Sequence, residues 1–137
     1  MSATSTRHVS ARILATLLAA AGIVFAGSGG WIYAKARLAQ VLLEVAWRRS
    51  IAGAPMPRPW PWADTTPIAR LHIDRLDSSS IVLAGASGRN LAFGPAHVDG
   101  TASPGQPGNC VISAHRDTHF TVLQNVRPGD TIRLEDR

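Results

Sequence analysis

Five prolines, at positions 55, 57, 59, 61 and 67, crowd one short stretch and divide the chain in two. Proline lacks a backbone N–H and locks φ, so this stretch can enter neither a helix interior nor a sheet interior. It is expected to run extended, as a polyproline-like strap. Trp60 and Trp62 interleave with these prolines. Tryptophan is mostly buried, so both are expected to pack on the neighbouring domain. The two sides of the strap then show different periodicities.

On the N-terminal side, residues 13–34 (ILATLLAAAGIVFAGSGGWIYA) form an uncharged run of 22. At helical rise that length spans a hydrocarbon core of about 30 Å. Trp31 and Tyr33 stand at its distal end, where interfacial aromatics are favoured. The expected organisation is a tail at 1–12 and a transmembrane helix at 13–34. The core of that span shortens to 13–26 if Gly27, Gly29 and Gly30 weaken the last turns. A cleaved signal peptide is the rival, with Arg7 and Arg12 before the apolar run and Ala34-Lys35-Ala36 as small residues after it. Residues 35–66 then hold a juxtamembrane amphipathic helix and the strap. Leu38, Val41, Leu42 and Val45 recur at i, i+3, i+4 and i+7, so this helix is expected to lay that face on lipid or on its own domain.

Charge narrows the partners. The net charge is +5, and residues 1–49 account for it, with Arg7, Arg12, Lys35, Arg37, Arg48 and Arg49 against Glu44 alone. From Ser50 onward eight arginines meet eight acids. A nucleic-acid binder carries its excess on the folded part. Here the excess flanks the apolar run, which points to membrane lipid and away from nucleic acid. The single cysteine excludes an intrachain disulfide and a cysteine-rich zinc site.

Beyond the strap, in residues 67–137, the period becomes that of strands. Ala69, Leu71 and Ile73 alternate with Arg70, His72 and Asp74, which predicts a half-buried strand. Ile81-Val82-Leu83 predicts a second, ended by Gly85, and Gly88–Phe93 a short helical turn. Residues 100–108 (GTASPGQPG) are loop by composition. Asn109–Ala114 is expected as a third strand and Thr121–Val126 as a fourth. Arg127-Pro128-Gly129-Asp130 suits a type II turn, and Thr131–Glu135 alternates again with Ile132 and Leu134 inward. Short strands at this spacing mean an all-β barrel or sandwich.

Five segments follow one another in this region: Ile68-Ala69-Arg70-Leu71, Leu83-Ala84-Gly85-Ala86-Ser87, Gly94-Pro95-Ala96-His97, Pro107-Gly108-Asn109 and Ala114-His115-Arg116-Asp117-Thr118. In this order and spacing the region from Ile68 onward resembles a sortase, one of the membrane-anchored cysteine transpeptidases. The strap and single anchor look most like the class found in Gram-negative bacteria. The resemblance implies a sortase-like β-barrel, of which 67–137 would be the first part. It also implies a cytoplasmic N-terminus, a single pass through the bacterial inner membrane, and a catalytic domain outside the cytoplasm. Its substrates would be proteins bearing a C-terminal sorting signal, Leu-Pro-x-Thr-like, cleaved through a thioester and transferred to an amine. No cofactor is implied. The family's Thr-Leu-x-Thr-Cys-type strand and downstream arginine are not among these residues. The chain is therefore expected to be an N-terminal fragment, inactive by itself.

His115 matches the family's catalytic histidine. An imidazole titrating near neutrality can give a proton to a leaving amine and take one from an incoming amine. His97 follows a Gly-Pro turn and is a candidate for the same cleft or for a loop-fixing hydrogen bond. Arg116 and Asp117 could orient His115 or simply pair locally. Cys110 lies five residues before His115, an odd separation that puts the two on opposite faces of a strand, so a buried hydrophobe is expected there. His115 and His119 also suggest a metal-dependent hydrolase. Yet i, i+4 histidines share a face only on a helix, and Arg116 disfavours a divalent ion, so no metal is expected. The remaining alternative is a catalytically inactive, membrane-tethered β module.

Overall fold

A computed structural model describes the backbone from Ala3 to Arg137, and side chains outside residues 1–15, 21, 23–29, 32 and 33. The chain divides into two compact units, residues 1–37 and 38–137. The second unit thus begins inside a helix, well before the strap.

One helix, α1, runs from Ala3 to Ile51 and continues through the glycines expected to weaken it. In the first unit Leu17, Leu18 and Trp31 are exposed, and the Lys35 ammonium sits 5.5 Å from the centre of the Trp31 ring. That is a cation–π contact one helical turn apart. No helix among the described residues is long and apolar enough to cross a membrane, and most of the 13–34 run lies outside the residues whose side chains are described.

The C-terminal end of α1 is closed by sequence chemistry. Arg48 and Arg49 occupy the last turn, where cations complement the helix dipole. Gly53 then takes φ 90°, Ala54 N–H donates to the Arg49 carbonyl, and Gly53 N–H donates to the Ser50 carbonyl. This is the paired 6→1 and 5→2 bonding of a Schellman stop, which needs a left-handed residue that glycine supplies without penalty.

The buried face of α1 is not the one its aliphatic periodicity suggests. Ala39, Leu43, Ala46, Trp47 and Ser50 are buried, whereas Leu38, Val41 and Val45 are 57, 59 and 38 % exposed. Two apolar stripes compete on one helix. The stripe with Trp47 wins because an indole removes the most area from water and the two alanines admit close approach.

Beyond the strap, β1 (Pro67–Ile73) and β2 (Ser78–Ala84) form an antiparallel hairpin with Arg70 opposite Ile81 and Ile73 opposite Ser78. A 3-10 turn at Asp74–Leu76 joins them through Asp77, at φ 45°. A one-turn helix, α2 (Gly88–Leu91), is capped by the Ser87 hydroxyl, which accepts from Asn90 N–H. The Asn90 amide in turn donates to the Ala84 and Gly85 carbonyls, holding α2 against the end of β2. Next come β3 (Ala96–His97), parallel to β2, and β4 (Ile112–Ser113), antiparallel to β3. β5 (Ile132–Asp136) returns antiparallel to β1. The sheet order is β4-β3-β2-β1-β5. Among the described residues it is an open sheet with β4 and β5 at its edges.

Leu43 and Trp47 of α1 pack on Ile81, Leu83 and Ala96, with Trp60, Leu91 and Phe93 against them. Trp60 meets Phe93 edge-on at 5.0 Å. Its expected companion does not join: Trp62 is 80 % exposed, so only one of the strap's tryptophans packs.

Three expectations are corrected past residue 108. The strand foreseen at Asn109–Ala114 contracts to Ile112–Ser113. Thr121–Val126 is no strand but a 3-10 helix, Thr121–Asn125. Phe120, the preceding residue, already accepts from Leu123 N–H, and Leu123 accepts from Val126 N–H, so the segment satisfies its backbone locally. Ile132, expected inward, is 50 % exposed while Leu134 is half-buried, because β5 is an edge strand paired only with β1. The turn at 127–130 agrees with its sequence: Asp130 N–H donates to the Arg127 carbonyl and Gly129 takes φ 93°.

Candidate active site

The Gly94-Pro95-Ala96-His97 segment lies against β2. Leu83 N–H donates to the Pro95 carbonyl, and a Cβ on Gly94 would stand 3.1 Å from the Ile81 carbonyl oxygen, so only glycine fits there without a shift. His97 is buried at the end of β3. Its Nε2 lies 2.9 Å from the Ala102 carbonyl and 3.0 Å from Thr101 Oγ1. The Thr101 hydroxyl spends its proton on the Val98 carbonyl and accepts from Val111 N–H. Nε2 therefore carries the hydrogen, and His97 braces the loop. Backbone bonds from Val98 to Val111 and from Ala102 to Asn109 close the same loop.

That loop delivers the chain to β4 and then to His115. The His115 carbonyl accepts from Thr118 and Phe120 N–H, and the Thr121 hydroxyl donates to the Arg116 carbonyl. These bonds fold residues 115–121 into a tight turn with the His115 side chain exposed. Arg116 and Asp117 form an ion pair with each other at 3.4 Å, both largely in solvent. An exposed pair of this kind contributes little, and neither partner bonds to His115 here. Beside the turn lies an open groove of about 780 Å³, walled by Ala114, Arg116, Asp117, Phe120 and Leu123 among others.

His119 points elsewhere. It is half-buried and lines a smaller cavity of about 190 Å³ with Gln40 and Glu44 of α1, Ser79 and Ser80 of β2, and Gly94. Burial pushes its imidazole pKa down, the Ala92 carbonyl it faces partly opposes this, and a charge on nearby His115 lowers it further. The described residues contain no group of three or more His, Cys, Asp or Glu able to hold a metal, so His115 and His119 find no third ligand there. Cys110 is half-buried in irregular chain ahead of β4. Strand alternation, used above to separate it from His115, does not extend to it.

Sequence reasoning missed the contribution of α1 to this region. Glu44 accepts from Arg70 at 2.6 Å and from Arg48 at 3.1 Å. Arg70 first, and then Arg48, hold its carboxyl below the usual range, against opposition from burial. Gln40 donates to the Phe93 carbonyl at 2.7 Å. The signal available was Glu44 itself, the lone acid in a basic helix. Nothing in spacing marks Gln40. A second clamp forms farther along, where Arg75 reaches Asp130 with two bonds of 2.6 and 2.7 Å and donates also to the Asn125 carbonyl.

Residues 71–137 match the family model of the sortase domain. This β region belongs to the sortase family, a family of cysteine transpeptidases. Solved structures similar to the chain include sortase E from Streptomyces avermitilis, at 33 % identity and TM-score 0.47, covering 51 % of this chain and 49 % of that one. Another is sortase C1 of Streptococcus agalactiae, at 29 % identity and TM-score 0.48, covering 72 % and 58 %. A third is the pilus-related sortase C of Group B Streptococcus, at 26 % identity and TM-score 0.46, covering 51 % and 39 %. The chain spans about half the length of the first of these. No curated protein matches it.

Proposed function

We propose that this chain supplies the histidine-bearing half of a sortase-type transpeptidase, with His115 as its general acid and base. The observation that supports this reading is the exposed His115 on a tightly bonded turn, inside the segment that matches the sortase domain. In the proposed reaction a thiolate attacks the carbonyl of a sorting-signal peptide. His115 protonates the departing amine, and a thioester remains. An incoming amine, deprotonated by the same imidazole, then displaces the thiol and restores a peptide bond. The nucleophilic cysteine and the stabilising arginine would come from outside these 137 residues; Cys110 is assigned neither role. The N-terminal run would anchor the chain once in the inner membrane of a Gram-negative-type cell, with the β region outside the cytoplasm.

The test is complementation. The chain should neither cleave nor transfer a Leu-Pro-x-Thr-like peptide by itself. Supplied with the later strands of a full-length relative, it should gain turnover that His115→Ala reduces by roughly 10²–10⁴-fold. Turnover by the isolated chain that Cys110→Ser abolishes would refute the assignment. A restored enzyme indifferent to His115→Ala would refute it equally, and failure of every complement would favour the inactive tethered module. Alkaline extraction tests the anchor: the chain should stay in the membrane pellet at full mass.

A further inference from the structure

The connection between α2 and β3 is held from three sides. Phe93 N–H and Gly94 N–H donate to the Asn90 carbonyl, which ties the connection to α2. Leu83 N–H donates to the Pro95 carbonyl, which ties it to β2. The Gln40 amide donates to the Phe93 carbonyl, which ties it to α1. This makes the connection a fixed wall within the domain.

The 115–121 turn is different. Its backbone bonds close within itself, on the His115, Arg116, Thr118 and Phe120 carbonyls. Its ion pair, Arg116 with Asp117, is also internal and exposed. Such a turn is coherent but needs an external hold if His115 is to stand in one place. His119 is the side chain that reaches out, into the cavity behind the wall.

We propose that His119 is a positioning residue: lodged between α1, β2 and the α2–β3 connection, its ring fastens the histidine turn to the domain and thereby fixes where His115 stands. The consequence for catalysis rests on the function proposed above; the fastening itself does not. Orientation of a reacting group is costly to lose, so a residue that never touches substrate can still govern the site. The ring acts as a neutral donor. Burial disfavours its charged form, and the charged groups near it are Glu44, already paired with Arg70 and Arg48, and His115. Ser79 and Ser80 bring hydroxyls and no charge. Because the folded-state pKa is depressed, the hold is complete above the ordinary histidine range and weakens as pH falls through the lowered value.

The experiment is NMR on the full chain in detergent micelles, comparing wild type, His119→Ala and His119→Gln. In the alanine variant the amides of Thr118 and Phe120 should exchange about tenfold faster, roughly the protection of one hydrogen bond. The His115 ring resonance and its titration curve should shift in step. Glutamine, which keeps a donor, should recover most of both. Amides of β1 and β2 report whether the domain remains folded. If His119→Ala leaves those amides protected, the turn amides unchanged and the His115 titration unmoved, the proposal fails. It fails too if glutamine restores nothing while the sheet stays intact. Neither readout requires turnover, so a negative complementation result would leave this test standing.

Discussion

The two ends of the sheet are stabilised by different physics. Around β1, β2 and β3 the chain is packed: Leu43, Ala69, Val82, Leu83 and Ala96 have no exposed surface, and Trp47 has 1 %. From residue 98 to the end no side chain is fully buried. The order there comes from polar clamps, Arg75 on Asp130 and Arg133 on Asp74, and from turns that satisfy their own backbone. Apolar burial specifies position by volume and tolerates few changes. Clamps specify it by a few bonds whose strength depends on pH and salt. The candidate catalytic histidine belongs to the second kind of region, and the wall that His119 reaches belongs to the first.

Breaking the packed side should have the largest effect. Trp47→Ala is expected to cost about 3–5 kcal/mol and Leu83→Ala about 2–5 kcal/mol, both read from denaturant midpoints. A Trp47→Ala protein as stable as wild type would mean that α1 does not contribute to the core. Next comes the Arg75 clamp. Arg75 foremost, helped by the Arg127 N–H, lowers the Asp130 carboxyl to about 2. A depressed carboxyl stabilises the fold above its unfolded value and ceases to do so as pH falls through its folded value. Arg75→Ala should therefore raise the Asp130 midpoint toward the ordinary 3.8, seen in its side-chain carboxyl ¹³C titration, and loosen the amides of 125–131 without disturbing β2. The smallest effects should fall on exposed apolar residues. Leu38→Ser, Val41→Ser and Ile132→Thr should each change stability by no more than about 0.5 kcal/mol, whereas Leu43→Ser on the opposite face of α1 should be severe. Equal costs on both faces would show that the outward stripe is covered.

The same contrast explains what could be read from the sequence. Around the packed core, local pattern and tertiary structure agree: the β1 alternation, the β2 run and the short helical turn at α2 all stand close to where their residues place them. The Pro128-Gly129 turn agrees for a different reason, since its geometry is fixed within four residues. Failure came where two local patterns were equally good, as with the two stripes of α1, which only the volume of Trp47 could separate. It came also where a strand needs a neighbour: Thr121–Val126 has strand-prone residues but no facing strand among the described residues, and Thr121–Asn125 took the 3-10 alternative. His115 was singled out by its motif alone, and its role belongs to the function proposed above. The helix contribution of Gln40 and Glu44 was not legible, because a bond across 53 residues leaves no local trace.

The placement of Trp47 also sets an order in time. The helix that carries it is made first, yet Ile81, Leu83 and Ala96, the residues that cover it, come later in the chain. Leu43 and Trp47 are therefore synthesised before the residues that cover them, with a Schellman-stopped helix end and a proline strap between. During that interval the indole is an exposed apolar surface beside a basic helix. Covering Trp47 therefore waits on Ile81, Leu83 and Ala96, whatever the order in which the strands themselves pair.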